Sequence, residues 1–254
     1  MSMGDVLLTR QEHVAVITLD NPEKHNAVDA PMREKLAAIY QCIEEDEGLR
    51  VAVIRGAGGK SFCAGGSIDS YLEQGAFGPQ GTGVPPIPRP WPASKPYIAA
   101  INGYALGGGF ALALACDLRV VGESARIGPS GLKRGTVQGA QTISRLTRLV
   151  GMSRAMQILL LSRELTGSEA AMAGLAELVA DDMVERQAME WAHTIAGFSP
   201  WTVAMTKQLV IDAAHLSPED AIAQEDRVAA EAYRRDDALE GFRAFAERRK
   251  PAFK

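Results

Sequence analysis

Residues 99–117 read AAINGYALGGGFALALACD, and this stretch decides the fold of the chain. Its pattern predicts an apolar strand at Tyr97–Ile101, a turn at Asn102–Gly103, three glycines at 107–109 and an apolar helix at Phe110–Ala115. Glycines between a strand and a helix let a ligand approach the backbone closely. The unpaired amides of the helix's first turn then face that ligand, and such amides stabilise a developing oxyanion.

A second glycine-rich turn lies upstream of the first. Val51–Gly56 has the pattern of a buried strand, and the segment after it, Gly58–Ser67, contains two glycine pairs. A single glycine-rich turn is most often only a turn, but two of them after two apolar strands can each supply one amide donor. We therefore expect a site in which two backbone amides bind one oxygen atom.

At these residues the chain resembles the crotonase superfamily, the enoyl-CoA hydratase/isomerase family. SFCAGGSI at Ser61–Ile68 is similar to the family's first oxyanion-hole segment, and Ile101–Val120 is similar to its second. NPEKHNAV at Asn21–Val28 is similar to the segment that touches the CoA nucleotide, and Ala244–Phe253 resembles the family's C-terminal helix and tail. The resemblance covers nearly all of the chain. It implies an α/β fold, a crotonase spiral of ββα units with a helical C-terminal region.

The resemblance also implies the substrate and several site residues. The thioester carbonyl of an acyl-CoA would be held by the backbone amides of Gly66 and Gly108. CoA would lie near Lys24, Ala64 and Ile68, where the lysine can pair with a phosphate as a point charge or remain solvated. By the same resemblance, Arg248 reaches the CoA of a neighbouring subunit or belongs to a solvated basic tail. Coenzyme A is then part of the substrate, and no separate cofactor or metal ion is expected.

The chain departs from the family's hydratases at the positions of their two glutamates. The first position follows the glycine triplet by two residues and is Ala111 here, and the second is Gly131. A third position, used by dienoyl-CoA isomerases, is Gly139. General acid–base catalysis needs a positioned side chain or water, and alanine and glycine cannot accept a proton. The sequence therefore predicts that this chain does not perform two-glutamate hydration.

No single residue stands out as a replacement acid or base. The candidates are side chains near the two turns, namely Asp69, Tyr71, Glu73, Ser130, Thr136, Gln138 and Gln141. Asp117, at the end of the apolar helix, is expected to be structural, and His25 is expected to be a surface or structural group.

The segment Gly75–Ala93 holds four glycines and six prolines and is predicted to be an irregular loop. It is interpreted either as a surface loop or as a lid over the acyl pocket, with Phe77, Ile87 and Trp91 as its apolar walls. Prolines would lower the entropy cost of ordering such a lid.

Composition limits the class of protein. The chain has 254 residues, a net charge of −4 and 46% hydrophobic residues, which fits a packed protein without general affinity for nucleic acid. No signal peptide or membrane span is evident, and Cys42, Cys63 and Cys116 lie in apolar contexts that predict buried thiols. We expect a reducing, cytoplasmic location.

The pattern along the chain predicts a strand-and-helix core over residues 1–195 and a helical region over residues 196–254. Members of the family usually form trimers or paired trimers, so a homotrimer or hexamer is expected. The predicted strands are Val6–Thr9, Val14–Leu19, Val51–Arg55, Tyr97–Ile101, Leu118–Val121 and Arg126–Ile127. The predicted helices run from Asp29 to Glu47 and over Phe110–Ala115, Ala140–Leu149, Arg154–Leu161, Ser168–Ala173, Met183–Ala196, Pro200–Ala214, Pro218–Arg234 and Ala238–Arg249.

Three interpretations fit these features. The first is divergent enolate chemistry on an acyl-CoA, namely decarboxylation, isomerisation or thioester hydrolysis, since both glycine turns are present while the acids are absent. The alternative is a non-catalytic acyl-CoA carrier or sensor, and a third possibility is an assembly partner that keeps only the fold.

Overall fold

The computed structural model describes residues 4–68, 72 and 87–254. The candidate residues Asp69, Tyr71 and Glu73 therefore lie outside the described residues, as do Phe77 and the rest of segment 75–86. The strands are β1 (Asp5–Gln11), β2 (Val14–Asp20), β3 (Val51–Gly56), β4 (Ser61–Cys63), β5 (Tyr97–Ile101), β6 (Tyr104–Leu106), β7 (Leu118–Gly122), β8 (Arg126–Gly128), β9 (Leu165–Thr166) and β10 (Glu177–Val179). The helices are α1 (Ala30–Glu45), α2 (Gly108–Ala115), α3 (Thr142–Leu160), α4 (Gly167–Met172), α5 (Val184–Ala196), α6 (Pro200–Ala213), α7 (Pro218–Ala232) and α8 (Asp236–Ala246).

The strands form two sheets. The larger has the order β1-β2-β3-β5-β7-β10, and the smaller has the order β4-β6-β8-β9. β1 and β2 form an antiparallel hairpin, and the other neighbours in the larger sheet are parallel. β3 and β5 are buried on both faces, as their continuous apolar sequences predict. The sheet is thus a core element with helices on either side.

Two apolar cores enclose the larger sheet. One face packs against α5 through Val184, Ala188, Ala192 and Ala196. The other face packs against α1, α2 and the smaller sheet, where Phe62, Phe110 and Leu112 are fully buried. Between the two sheets, the chain passes from β3 to β4 and from β5 to β6, and glycines follow each of the strands β4 and β6, at Gly65–Gly66 and Gly107–Gly109.

Helix α2 is apolar on every side, and all of its residues from Gly109 to Ala115 are buried. It begins at Gly108, two residues before the predicted start at Phe110. Gly107 is the N-cap residue, with a φ of 54°, so the last two glycines of the triplet are helical. A glycine triplet does not by itself indicate which glycine ends the turn, because any of them tolerates either conformation.

The strands and helices of the sequence prediction occur in the structure, with small differences at their ends. The two helices predicted at Ala140–Leu149 and Arg154–Leu161 are the two halves of α3, which the non-helical Gly151, with a φ of 76°, separates. The last helix, predicted over Ala238–Arg249, ends at Ala246. The two- and three-residue strands β4, β6, β9 and β10 were not predicted, because so short a segment has no periodicity to detect.

The C-terminal helices differ from the core. α6 and α7 have no buried residue, and α8 has one, Ala244. Large apolar side chains such as Val210, Phe242 and Phe245 are exposed there. The division at residues 195 and 196 stays a prediction. In the described part of the chain, no helix combines the length and apolarity needed to cross a membrane.

Candidate active site

The structure brings the two glycine turns into contact. A Cβ atom built on Gly65 would lie 3.2 Å from the amide nitrogen of Gly108 and 3.2 Å from the carbonyl oxygen of Leu106. Gly65 also has a φ of 108°, which only glycine adopts readily. At Gly109, an added Cβ would overlap the carbonyl oxygen of Cys63. The absence of side chains is thus what lets β4 and its turn pack directly on the start of α2.

In the first turn, the Gly66 amide takes no part in the hydrogen bonds that join this segment to Val28. Gly66 forms an isolated parallel bridge with Val28. The bridge consists of two bonds, from the Val28 amide to the Gly65 carbonyl at 2.8 Å and from the Ser67 amide to the Val28 carbonyl at 3.0 Å. Since successive amides of an extended chain point to opposite sides, the Gly66 N–H faces away from Val28.

The second turn presents the first amide of a helix. Gly108 is the first residue of α2, and an amide at this position has no partner within the helix. The first bond of the helix that involves Gly107 runs from the Ala111 amide to the Gly107 carbonyl at 3.0 Å. The helix dipole places partial positive charge at this end. The adjoining turns can therefore bind a negatively charged oxygen between them.

None of the three positions identified above as acid sites has an ionisable side chain. Ala111 is buried within α2. A Cβ on Gly131 would lie 2.8 Å from the carbonyl oxygen of Thr136 and 3.0 Å from the amide of Gln138, so a side chain there requires the backbone to move. Gly139, by contrast, has no atom within 4 Å of an added Cβ. The backbone around Gly131 is thus shaped for glycine.

The side-chain amides of the two candidate glutamines, Gln138 and Gln141, are engaged in hydrogen bonds within the protein. The Gln138 side-chain oxygen accepts hydrogen bonds from the amides of Ser130 and Gly131 at 3.1 and 3.2 Å, and its nitrogen donates to the Gly107 carbonyl at 3.0 Å. Gln141 accepts from Arg145 Nε at 3.1 Å. Gln138 therefore fastens the 130–138 loop to the glycine triplet, which its sequence context alone did not indicate.

The two hydroxyl candidates, Ser130 and Thr136, differ in their placement relative to the glycine triplet. An added Cβ on Gly107 would overlap Ser130 Oγ, so this hydroxyl lies directly against the glycine triplet. Thr136 Oγ1 donates to the Gly131 carbonyl at 3.2 Å and is committed to the loop. Of the polar candidates that the structure describes, Ser130 and Gln138 both lie against the glycine triplet, and the Gln138 side chain is already hydrogen-bonded to it.

The cysteine nearest the site is not a nucleophile. Burial raises the pKa of the Cys63 thiol to about 12, so it stays protonated. Burial raises the pKa of Cys116 to about 12 as well. The prediction of buried thiols is confirmed for these two and wrong for Cys42, which is exposed. Cys42 lies on the outward side of α1, and the apolar residues around it in sequence face the other way.

Three of the four residues assigned to CoA by resemblance lie near one another. The Ala64 amide donates to the His25 carbonyl at 3.0 Å, which places the exposed Lys24 beside the first glycine turn. Ile68, 56% exposed, follows that turn directly. His25 itself contacts Ser61 Oγ through Nδ1 at 2.9 Å, in keeping with a structural role.

Arg248 lies elsewhere, beyond the end of α8. It is exposed and has a φ of 55°. Within the chain, the described contacts do not bring it to the glycine turns. Its predicted role toward a neighbouring subunit therefore stays a prediction.

The described part of the segment predicted as a surface loop or a lid connects the glycine turns to a second feature. Ile87 is buried, and its Cδ1 would lie 2.8 Å from a Cβ on Gly108. Four residues on, Trp91 is 39% exposed and packs under the guanidinium of Arg145, 4.9 Å from the ring centre. Trp91 lines a cavity of about 900 Å³ at the C-terminal end of α2, which the sequence did not predict.

Asp117 holds the end of α2 in place, as expected. Its Oδ2 accepts from the Tyr97 amide at 2.8 Å and from Lys207 Nζ at 2.9 Å. Lys207 also donates to the Lys95 carbonyl at 2.8 Å. These bonds fasten α6 to the core. Among the described residues, no group of three or more His, Cys, Asp or Glu side chains is placed to hold a metal ion.

The sequence model described as "Enoyl-CoA hydratase/isomerase" matches residues 9–254. This chain belongs to the enoyl-CoA hydratase/isomerase family. It is 34% identical over 255 residues to (E)-benzylidenesuccinyl-CoA hydratase of Thauera aromatica, with 98% of each chain covered. It is 32% identical over 254 residues to 2,3-dehydroadipyl-CoA hydratase of Escherichia coli, with 99% of each covered.

Solved structures agree with this family assignment. The crystal structure of enoyl-CoA hydratase from Bacillus anthracis has a TM-score of 0.90 and 30% identity, covering 98% of this chain and 99% of that one. Enoyl-CoA hydratase from Mycobacterium tuberculosis has a TM-score of 0.89 and 32% identity, covering 98% of both chains. The predicted α/β crotonase fold is therefore confirmed.

Proposed function

We propose that this family member binds an acyl-CoA thioester and stabilises the enolate of its acyl group with the backbone amides of Gly66 and Gly108. The observation that supports the proposal is the contact between the two glycine turns, in which Gly65 packs against the amide nitrogen of Gly108 at the start of α2. When the carbonyl oxygen of a thioester accepts hydrogen bonds from both amides, the α-carbon of its acyl group can carry negative charge as part of an enolate. Losing one such donor typically costs about 3 to 4 kcal/mol of transition-state stabilisation.

We further propose that the reaction is not two-glutamate hydration, although relatives are named as hydratases. Ala111, Gly131 and Gly139 supply no proton-transferring group at the positions that the family resemblance assigns to acids. The tight backbone around Gly131 supports this departure, since it excludes a side chain as folded.

Decarboxylation of a malonyl-type thioester makes the smallest demand on such a site. The bond from the α-carbon to the carboxylate breaks, its electron pair enters the enolate, and carbon dioxide leaves. Water then protonates the α-carbon. Isomerisation and thioester hydrolysis are the other reactions of this class, and both require a group that moves a proton or positions water.

An acyl-CoA carrier or sensor is the second candidate. Its support is that Gln138 and Thr136 are engaged in holding the loop, which leaves few polar side chains for catalysis among the described residues. A carrier would bind thioesters tightly and return them unchanged.

For the CoA moiety, we propose that Lys24, Ala64 and Ile68 contact the nucleotide. We also propose that the chain assembles as a trimer or hexamer in which Arg248 reaches a neighbour's CoA. The exposed apolar side chains of α6, α7 and α8 support an assembly that covers them.

The function is tested by incubating the protein with malonyl, enoyl, β-keto and saturated acyl-CoA thioesters and following their masses. Loss of carbon dioxide or release of free CoA would identify the reaction, and an isomerised product of unchanged mass would appear as a new chromatographic peak. Gain of water across an enoyl thioester would contradict the proposal. Unchanged thioesters that are shown to bind would support the carrier function instead.

A further inference from the structure

The cavity at the C-terminal end of α2 combines apolar walls with an excess of positive charge. Its volume is about 900 Å³, within the range of small-molecule sites. Of the lining residues that the structure describes, Asp117 is the one with a carboxylate, whereas four have cationic side chains, namely Arg119, Arg145, Arg148 and Lys207. No residue of the two glycine turns is among the described lining residues. The cavity is therefore separate from the site proposed above.

Three of the four cations are already paired or solvated. Arg119 donates to three backbone carbonyls. Lys207 is paired with Asp117, with 2.9 Å between Nζ and Oδ2. Arg148 is exposed, so water solvates its charge. The positive charge that the protein leaves without a partner in the cavity belongs to Arg145.

The guanidinium of Arg145 is held in one orientation. Its Nε donates to Gln141 Oε1 at 3.1 Å, and its central carbon lies 4.9 Å from the centre of the Trp91 ring. In the described part of the chain, its two terminal nitrogens have no hydrogen-bond partner and no carboxylate within ion-pair distance. Both nitrogens are nevertheless accessible. Arg145 thus offers a pre-oriented pair of donors to a group that enters the cavity.

The surroundings of Arg145 favour an added negative charge. Burial lowers the pKa of Arg145, and the charge of Asp117 offsets this only in part. Asp117 Oδ2 is already bonded to the Tyr97 amide and to Lys207 Nζ. A half-buried cation without a counterion is stabilised when a ligand brings one. The charge balance of the cavity therefore fits an anionic ligand.

The lining also indicates the shape of that ligand. Two adjacent guanidinium nitrogens match one carboxylate, which accepts two parallel hydrogen bonds. A phosphate group carries more charge and more acceptor oxygens than one guanidinium satisfies. The apolar side chains of Leu114, Ile195 and Phe198 line the remaining walls and suit a hydrocarbon. Leu149 and Val210, which also line the cavity, are exposed, so a ligand can enter from solvent.

We infer that this cavity binds a single-chain organic carboxylate, which has the chemistry of a free fatty acid. The carboxylate binds the terminal nitrogens of Arg145, and the hydrocarbon lies among α2, α5 and α6. Neither the oxyanion contacts of Gly66 and Gly108 nor a CoA thioester is needed for this binding. The inference therefore does not rest on the proposed function.

The test uses isothermal titration calorimetry with octanoate, octan-1-ol and acetate, which separate the contributions of charge and chain. We expect octanoate to bind at least about tenfold more tightly than octan-1-ol, and acetate to show no measurable binding. From hexanoate to octanoate, the affinity should rise about fourfold for each methylene group that the cavity accommodates. Arg145→Met should abolish the preference for octanoate, and Arg145→Lys should restore it in part. Arg227→Met, exposed on α7 and outside the described lining, is the control.

A second measurement locates the ligand without changing Arg145. Trp91 is the one tryptophan among the described lining residues, so 8-bromooctanoate should quench its fluorescence through the heavy bromine atom. Trp91→Phe should lose most of this quenching, because Trp191 and Trp201 lie outside that lining. Quenching that is equal in the parent and in Trp91→Phe would overturn the inference, even if Arg145→Met proves too unstable for calorimetry.

The calorimetric outcomes are equally decisive. Equal affinity for octanoate and octan-1-ol, or a preference that persists in folded Arg145→Met, would show that Arg145 does not bind a carboxylate. Absence of octanoate binding would also overturn the inference. If Arg145→Met then lowered the molecular mass in sedimentation, a second copy of the chain would be the occupant instead. None of these results depends on acyl-CoA turnover, so the proposed function is tested separately.

Discussion

At its N-terminal end, α2 meets backbone amides and glycines. At its C-terminal end it meets a cavity whose described lining residues include four with cationic side chains and one with a carboxylate. At the N-terminal end, Gly65 and Gly109 have no side chains, and this allows the two turns to touch. The cavity at the C-terminal end is lined by side chains that are far apart in the sequence, such as those of Trp91, Arg145 and Lys207. The difference separates a contact between turns that depends on the absence of side chains from a cavity whose character is set by the side chains that line it.

The largest effect is expected from a substitution that removes one amide of the proposed backbone site and keeps helix α2. Gly108→Pro removes the amide at the first position of α2, where proline is otherwise well tolerated. We expect kcat/KM with the thioester identified as substrate to fall by about 100- to 1000-fold. Gly108→Ala keeps the amide and adds a Cβ that meets only the mobile end of Ile87 and the edge of Gly65, so it serves as the control. Equal losses in the two variants would show that the amide is not used.

The next effect concerns contact between the turns. Gly109→Ala would normally stabilise a helix by about 1 kcal/mol, but here the new Cβ overlaps the Cys63 carbonyl oxygen. We therefore expect a loss of about 3 kcal/mol in the free energy of unfolding, measured by urea titration. Gly139→Ala, which places its Cβ in open space, should change this free energy by less than about 0.5 kcal/mol. A stabilising Gly109→Ala would refute the packing described.

The two ends of α2 differ in how well the sequence predicts them. The glycine turns follow apolar strands in continuous stretches of sequence, so the strands and the two turns could be predicted, and the fold followed from them. The cavity is assembled from the 87–91 segment, α3 and α6, and its charge balance depends on which arginine is already bonded. The structural role of Gln138 likewise depends on a contact with Gly107, 31 residues away along the chain.

At the charged end, Lys207→Met removes the partner of Asp117 and the bond to the Lys95 carbonyl. The Lys207 side chain is only 9% exposed, so the lost interactions are not replaced by water. We expect a loss of about 2 kcal/mol in the free energy of unfolding. Lys250→Met, at an exposed position, is the control. If both variants have the same free energy of unfolding, the Lys207 interactions that join α6 to the core contribute nothing measurable to stability.

The smallest effect tests the C-terminal tail. Glu240 binds Arg249 through both oxygens, at 2.6 and 3.0 Å, and accepts the Ala252 amide at 2.8 Å. Hydrogen bonding to Arg249 lowers the Glu240 pKa from 4.5 to about 2. Because the pKa is lower in the folded state, this stabilisation is complete above pH 5 and is lost as the pH falls toward 2.

We therefore expect the tail beyond Lys250 to loosen over that pH range, as seen in the nuclear magnetic resonance signal of Ala252. Glu240→Gln should loosen it already at pH 7 and hasten carboxypeptidase digestion. Glu247→Gln, which removes a different bond to Arg249 at 2.6 Å, should leave the Ala252 signal in place. A pH-independent tail in the parent protein would contradict the assignment.

The most direct test of the central claim is the infrared spectrum of a bound thioester. A saturated acyl-CoA labelled with carbon-13 at its carbonyl is bound to the parent protein, to Gly108→Ala and to Gly108→Pro, and difference spectra give the carbonyl stretch. Two amide donors withdraw electron density from the carbonyl, so the stretch should move to lower frequency in the parent and in Gly108→Ala, and much less in Gly108→Pro. An identical frequency in all three, with binding demonstrated, would contradict the claim that these amides hold the thioester carbonyl.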